Sequence, residues 1–282
     1  MAAPITNAGF IGLGNIGKPM AMRLLEGNFG VWVYDVFPQA GEELKEKGAN
    51  QAESIVQLAT HCEVIGVCVR DDKDVISVMQ QLLAEPGKCK AVAIHSTVTP
   101  QTIKAQAELA SAKGIMLLDA PITGGAAGAA NGTLCYMVGG DKEGVELFRP
   151  VFETSAKKII HAGELGMGMM AKLCNNLMTY AEFTAIYEAL RLAKACGLDE
   201  HVVREVGAAN GNITEQMNQF TGLHAFKPHL SAEDFEALAG GFAAVAEKDL
   251  SIAVEQADAL GVKLPGCERS LEVIAKVYRD AY

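Results

Sequence analysis

The sequence predicts an α/β chain in which an N-terminal Rossmann doubly wound sheet is followed by an all-α C-terminal domain, the two joined by a long interdomain helix. Three observations carry this expectation. Residues 9–35 read strand, glycine-rich turn, helix, strand, with Gly12-x-Gly14-x-x-Gly17 at the turn. Short strands that are apolar on both faces then alternate with helical segments as far as KKIIH (157–161), the pattern of a parallel sheet covered on both sides. After Gly163 the alternation stops and only helical periodicity remains, so the domains are expected at 1–164 and 165–282.

The first unit comprises the strand GFIGL, the helical segment IGKPMAMRLLEG and the strand VWVYD. Glycines where a strand turns into a helix allow a tight turn, close approach of a pyrophosphate and close helix packing, so Gly12, Gly14, Asn15, Ile16 and Gly17 form a candidate cofactor loop. The helix start supplies N–H groups to the phosphates. Asp35 closes the second strand at about the 20-residue distance the dinucleotide fingerprint requires. A carboxylate there accepts both ribose hydroxyls of NAD and repels a 2′-phosphate, and no arginine follows directly in YDVFP, which favours NAD over NADP.

The rhythm continues through an amphipathic segment 39–48, a short segment 54–61, the strand VIGVCV (64–69), a helix near 73–84, the strand AVAIH (91–95), a helix 101–113 and the strand IMLLD (115–119). Ligands sit at the carboxyl ends of such strands, here Arg70 to Asp72, His95 to Thr97 and Asp119 to Pro121. Arg70 reads as a partner of its neighbouring aspartates rather than an anion guide, and His95 as a hydrogen-bonded structural residue. The stretch DAPITGGAAGAANGTL (119–134) holds too many glycines and alanines for an ordinary helix. Its Thr123-Gly124-Gly125 offers a hydroxyl and exposed backbone N–H groups that suit a carboxylate ligand, although a flexible loop without a ligand fits equally. A strand near LCYMVGG, a helix from Glu143 to about Phe152 and the strand KKIIH complete this part.

GELGMGMMAKLCNN (163–176) is the stretch around which the chain is organised. At the start of a helix, Lys172 and Asn176 share one face at i and i+4, with Gly168 one turn earlier leaving that face uncrowded and the lysine aimed between the two domains. Unpaired buried polar groups cost about 1 to 3 kcal/mol each, so burial alone does not account for a lysine and two asparagines among Met, Ala, Leu and Cys. A helix from Met169 to Cys196 should end at Gly197; Asp199 and Gly211 should bound the next. Residues 212–230 read as loops and short helices lining a substrate pocket. Ser231-x-x-Asp234 opens another helix, Phe242 to Leu260 forms a further one carrying Lys248-Asp249, and Cys267 to Tyr282 the last.

Over 282 residues, with 50% apolar and 21% charged, the net charge of −10 argues against a nucleic-acid or anionic-membrane partner, so an anionic ligand must be met locally. Seven scattered cysteines without a C-x-x-C pair indicate reduced thiols and no zinc site. MAAPITNA lacks the pattern of a signal or transit peptide and no later stretch is apolar for long enough to span a bilayer, so a cytoplasmic protein is expected.

Four stretches together, GFIGLGNIGKPMAMRL, DAPITGGAAGAANGTL, GMGMMAKLCNN and EKDLSIA (247–253), resemble the β-hydroxyacid dehydrogenases that include 3-hydroxyisobutyrate dehydrogenase and tartronate semialdehyde reductase. The resemblance runs over nearly the whole chain. It implies an NAD(P)-dependent enzyme that interconverts a small 3-hydroxy acid and its semialdehyde. It further implies that Thr123, Gly124 and Gly125 hold the substrate carboxylate, Lys172 is the catalytic lysine, Asn176 contacts substrate, Thr97 contacts the nicotinamide side of the cofactor, and Lys248 reaches cofactor and active site. A homodimer or homotetramer formed through the helical domain is implied as well. Two departures stand out: Thr123 replaces the usual serine and adds a methyl, and Val69-Arg70 replaces a frequent Leu-Pro. The alternatives are an NADPH-dependent glyoxylate, succinic semialdehyde or tartronate semialdehyde reductase, an imine reductase, and a non-catalytic dinucleotide-binding sensor; Asp35 argues against the NADPH reductases and Lys172 against the last two.

Overall fold

The computed structural model describes residues 5–282; the first four residues of MAAPITNA, on which the reading of the N-terminus partly rests, lie outside the described residues. The chain divides into two compact units, the first ending at Lys172 and the second running Leu173–Tyr282.

In the first unit strands and helices alternate: β1 (Asn7–Ile11), α1 (Gly17–Glu26), β2 (Gly30–Tyr34), α2 (Glu42–Glu46), β3 (Asn50–Gln51), α3 (Ile55–His61), β4 (Val64–Val67), α4 (Asp72–Ala84), β5 (Ala91–Ile94), α5 (Pro100–Ser111) and β6 (Met116–Asp119). They are followed by β7 (Ile122–Thr123), α6 (Gly125–Asn131), β8 (Leu134–Gly139), α7 (Lys142–Phe152) and β9 (Ala156–Gly163). The sheet order is β3-β2-β1-β4-β5-β6-β8-β7 with β9 on β8. From β3 to β6 all pairs are parallel, whereas β8 meets β6 and β7 antiparallel and β9 parallel. The chain reverses direction of travel across the sheet between β1 and β4, and a crevice opens outside the strand ends at such a point.

Alternation along each strand explains the double cover. Phe10, Val31, Val33, Ala91 and Ala93 face a core closed by Met20, Leu24, Phe148 and Phe152, and Ile11, Ile65, Val67, Val92 and Ile94 face one closed by Leu58, Met79, Leu82 and Ile103. Local capping sets the helix starts: the side chains of Ser54, Asp71 and Thr99 accept from Gln57 N, Asp74 N and Thr102 N.

Three expectations about local structure are corrected. The Gly/Ala stretch does form a helix, α6, because Gly124 at φ +124° and Gly125 at φ +65° make the sharp turn into it and buried Gly128 and Ala129 pack against the sheet. In the second unit, residues 215–226 form one regular helix, α10 (Glu215–Phe226), started by the Thr214 hydroxyl accepting from Met217 N and anchored by Met217 and Phe220. The helix opened by Ser231 and the one expected from Phe242 are a single helix, α11 (Ala232–Ala259). Gly240-Gly241 does not break it, since buried Ala239, Ala243, Ala246 and Leu250 continue one face across the pair.

The remaining elements are α8 (Met167–Ala195), α9 (Glu200–Asn210) and α12 (Pro265–Arg279), with α8 running through the division between the units. Asp199 and Gly211 bound α9 as expected. An aromatic cluster holds the helical unit: Phe183 stacks on Phe220 at 4.5 Å, and Tyr278 meets Phe220 edge-on at 5.3 Å. Among the described residues no helix is long and apolar enough to cross a membrane.

Inside the sheet unit, the buried Tyr136 hydroxyl and Ser155 Oγ lie 2.7 Å apart and satisfy each other. Tyr136→Phe should therefore lower stability by about 1 to 3 kcal/mol by orphaning Ser155, and adding Ser155→Ala should recover part of it. The urea midpoints of the two variants, with unchanged slope, check this.

Candidate active site

The cofactor loop follows from backbone crowding. Gly12 N donates to Tyr34 O at 2.9 Å and Cys68 N to Ile11 O at 2.8 Å, so three strands converge where β1 ends. A Cβ on Gly12, which has φ +91°, would collide with Cys68 O, and one on Gly17 with Gly12 O. A Cβ on Gly14 would meet nothing within 4 Å, and Gly14 and Asn15 are exposed. No side chain caps α1 at Ile16. The loop thus presents uncapped amides of a helix start to open space, the condition a pyrophosphate needs, and a dinucleotide fits the residues present. Asp35 is fixed by two amides, Leu13 N to Oδ2 at 2.7 Å and Phe37 N to Oδ1 at 2.8 Å, which hold its carboxylate against the loop. Each oxygen keeps a second lone pair for a further donor.

Thr97 stands just beyond β5, partly exposed, after His95 and Ser96. Ser96 Oγ accepts from Val69 N at 2.8 Å and ties that strand end to the one after β4. His95 is structural: its Nδ1 is 2.9 Å from Ala120 O, its ring stacks on Phe10, and burial pulls it down to about 4. Arg70 grips Asp74 through Nε at 2.7 Å and Nη2 at 3.1 Å. Thr123, Gly124 and Gly125 stand at the start of α6, where no side chain provides a cap.

The start of α8 corrects the role assigned to Gly168. Its missing side chain faces the sheet, where a Cβ would collide with Met137 O and come within 2.8 Å of Asp119 Oδ2. Asp119, fully buried at the end of β6, accepts from Gly166 N at 2.8 Å and from Met169 N at 2.7 Å. It acts as the cap of α8, supplied from a distant strand. Burial raises its carboxyl to about 6 against the lowering effect of these amides. Lys172, half-buried, follows one turn after Met169.

In the helical unit, buried Asn176 donates through Nδ2 to Asp249 Oδ2 at 2.7 Å, and its Oδ1 accepts from Asn175 Nδ2 at 3.1 Å. Tyr180 OH is 3.5 Å from the same Asp249 oxygen, and burial followed by the Asp249 charge pushes the tyrosine up. Lys248 Nζ is 3.1 Å from Asp249 Oδ1, off any hydrogen-bond direction, so that oxygen is ion-paired without an aligned donor among the described residues. The structure thus gathers Asn176 and Lys248 on Asp249, which sequence reasoning named only as Lys248's neighbour. A buried acid in the apolar face of a helix was the available signal. No group of three or more metal-binding side chains converges among the described residues.

The fold and the loop define an NAD(P)-binding oxidoreductase. Residues 7–163 match the NAD binding domain of 6-phosphogluconate dehydrogenase, and residues 166–281 match the family described as NAD-binding of NADP-dependent 3-hydroxyisobutyrate dehydrogenase. The chain belongs to the 3-hydroxyisobutyrate dehydrogenase family and is a dehydrogenase of hydroxy acids. It is 37% identical over 265 residues to the 3-hydroxyisobutyrate dehydrogenase of Pseudomonas aeruginosa, covering 93% of this chain and 88% of that one. It is 34% identical over 288 residues to the NAD-dependent L-serine dehydrogenase of the same bacterium, covering 97% and 92%. The solved structure of Mycobacterium tuberculosis 3-hydroxyisobutyrate dehydrogenase with L-serine superposes with a TM-score of 0.81 at 28% identity, covering 98% and 95%.

His95 yields a pH prediction. Its folded value of about 4 lies below the ordinary 6.5, so on acidification the unfolded chain takes up a proton that the folded one refuses. Stability from this group is full above 6.5 and is lost as pH falls toward 4, while Asp119, raised to about 6, takes up its proton first in the folded state and offsets part of the loss. Between about pH 7.5 and pH 5, His95→Gln should lose on the order of 2 kcal/mol less than the parent in urea unfolding. Equal losses would assign the effect elsewhere.

Proposed function

We propose that the protein is an NAD-dependent oxidoreductase interconverting a small 3-hydroxy acid, of the 3-hydroxyisobutyrate type, and its semialdehyde, with Lys172 as general acid and base. The observation that carries this is the placement of Lys172 on α8 one turn before Asn176, a buried amide already oriented by Asp249. Residues 1–164 would serve cofactor binding and residues 165–282 substrate binding and oligomerisation.

When bound, the nicotinamide supplies a hydride acceptor for oxidation and a hydride donor for reduction. Thr123 Oγ1 and the amides of Gly124 and Gly125 hold the substrate carboxylate at the start of α6. Asn176 orients the substrate oxygen or the lysine. Lys172 Nζ accepts the hydroxyl proton in oxidation and returns it to the carbonyl oxygen in reduction. A free lysine titrates near 10.4, so oxidation should run best on the alkaline side. Lys248 and Thr97 complete the cofactor contacts.

The two indications on cofactor differ. The match to residues 166–281 carries a description that mentions NADP, whereas Asp35 favours NAD. We weight Asp35, because the residue that meets the ribose lies in the sheet unit, outside that match, and its carboxylate is held in place by two amides. L-serine, a 3-hydroxy acid named with two of the similar proteins, belongs on the substrate panel.

Initial rates with 3-hydroxyisobutyrate, D- and L-glycerate, serine and 4-hydroxybutyrate test the assignment. Turnover with NAD above NADP, abolished in Lys172→Ala, is expected. A fully active Lys172→Ala would sink the mechanism, preference for NADPH and a semialdehyde would favour the reductase alternative, and silence with every acid despite cofactor binding would favour a sensor. The protein is further read as a cytoplasmic homodimer or homotetramer. Support comes from the exposed stripe Leu238, Phe242 and Val245 along α11. Sedimentation should show an assembly that Phe242→Glu weakens.

A further inference from the structure

We infer that Asp119 is a positioning residue for the reaction, setting the place of Lys172 by capping the helix that carries it. The inference rests on Lys172 being the proton-transfer group. α8 begins at Met167, preceded by Gly166, and has no serine, threonine, aspartate or asparagine of its own at its start. The buried carboxylate of Asp119 supplies what is missing, with one oxygen on Gly166 N and the other on Met169 N. These amides stand 47 and 50 residues along the chain from it.

The pocket for the carboxylate is built around it. A Cβ on Gly139, its partner across the β6/β8 ladder, would collide with Asp119 Oδ1, and one on Gly168 would come within 2.8 Å of Oδ2. Met169, whose amide is held, has a fully buried side chain in the core beside β5 and β6. The first turn of α8 is therefore pinned from two directions, by charge-assisted hydrogen bonds and by packing. Lys172 leaves the helix one turn later. A side chain that must meet a reacting oxygen within hydrogen-bond reach depends on this register, because a displacement of about 1 Å can cost on the order of 100-fold in rate.

Asp119→Asn keeps the shape and one acceptor but turns a side-chain amide N–H toward a main-chain N–H donor. It should lower kcat about 10- to 100-fold while leaving the KM for NAD within about twofold, since the glycine loop is untouched. The alkaline limb of the kcat pH profile, set by Lys172, should move in Asp119→Asn, whereas a general weakening of the fold would lower kcat and leave the profile in place. Unchanged kcat in Asp119→Asn, or a lowered kcat with an unmoved profile, overturns the inference alone; an active Lys172→Ala overturns the lysine assignment and this inference with it. If Asp119→Asn does not fold, Asp119→Glu, which keeps the charge and displaces the carboxylate by one methylene, takes its place: a lowered kcat with the KM for NAD within about twofold is expected, and an unchanged kcat overturns the inference.

Discussion

The cofactor end of the sheet depends on how closely backbone can approach backbone where β1 ends. Gly12 N is bonded to the carbonyl of Tyr34 on one side, Cys68 O sits where a Gly12 Cβ would be on the other, and α1 starts with Gly17 against Gly12 O. No larger residue fits at Gly12 or Gly17 without opening the β2-β1-β4 ladder. The same crowding leaves Gly14 as the outward point of the turn, with the uncapped start of α1 behind it and Asp35 clamped beside it by Leu13 N and Phe37 N. The proposed anion site and ribose acceptor thus follow from one packing constraint.

Two buried carboxylates organise the polar groups elsewhere, and they are satisfied in different ways. Asp119 is met by main-chain amides, so its partners do not depend on which side chains those residues carry. Asp249 is met by side chains, Asn176, Tyr180 and Lys248, so the identities of these residues are coupled through it. Removing one partner would leave a buried charge short of a donor, which is more expensive than losing the bond itself. Asn176 is consequently less free to reorient than its position on α8 alone suggests. One of its two amide N–H donors is already committed, which leaves one for a substrate.

Much of this architecture was legible in the sequence because it rests on short-range rules. The period of two in the strands, the glycines at the β1 turn, and caps such as Asp199 and Ser231 act within about one turn of chain. Where the local signal is ambiguous, the reading failed. The Gly/Ala run was expected not to form an ordinary helix, yet becomes α6; the weakly periodic segment after Gly211 becomes α10; and the glycine pair at 240–241 stays inside α11. In each case packing of a few buried side chains outweighs weak helix propensity, which amounts to about 1 kcal/mol per glycine.

The sequence by itself determined the fold class, the glycine turn with Asp35 at the end of the next strand, and the pairing of Lys172 with Asn176 along one helix, since each is encoded by residues within a few positions or by one strand-turn-helix unit. Only the tertiary structure decided what Gly168 is for, that α8 takes its cap from Asp119, and that Asn176 and Lys248 share Asp249. Asp119 and Asn176 reach their partners across separations of 47, 50 and 73 residues. A buried carboxylate must find donors somewhere, but periodicity and capping patterns extend only about a turn, and chain folding alone selects which distant amide or side chain arrives.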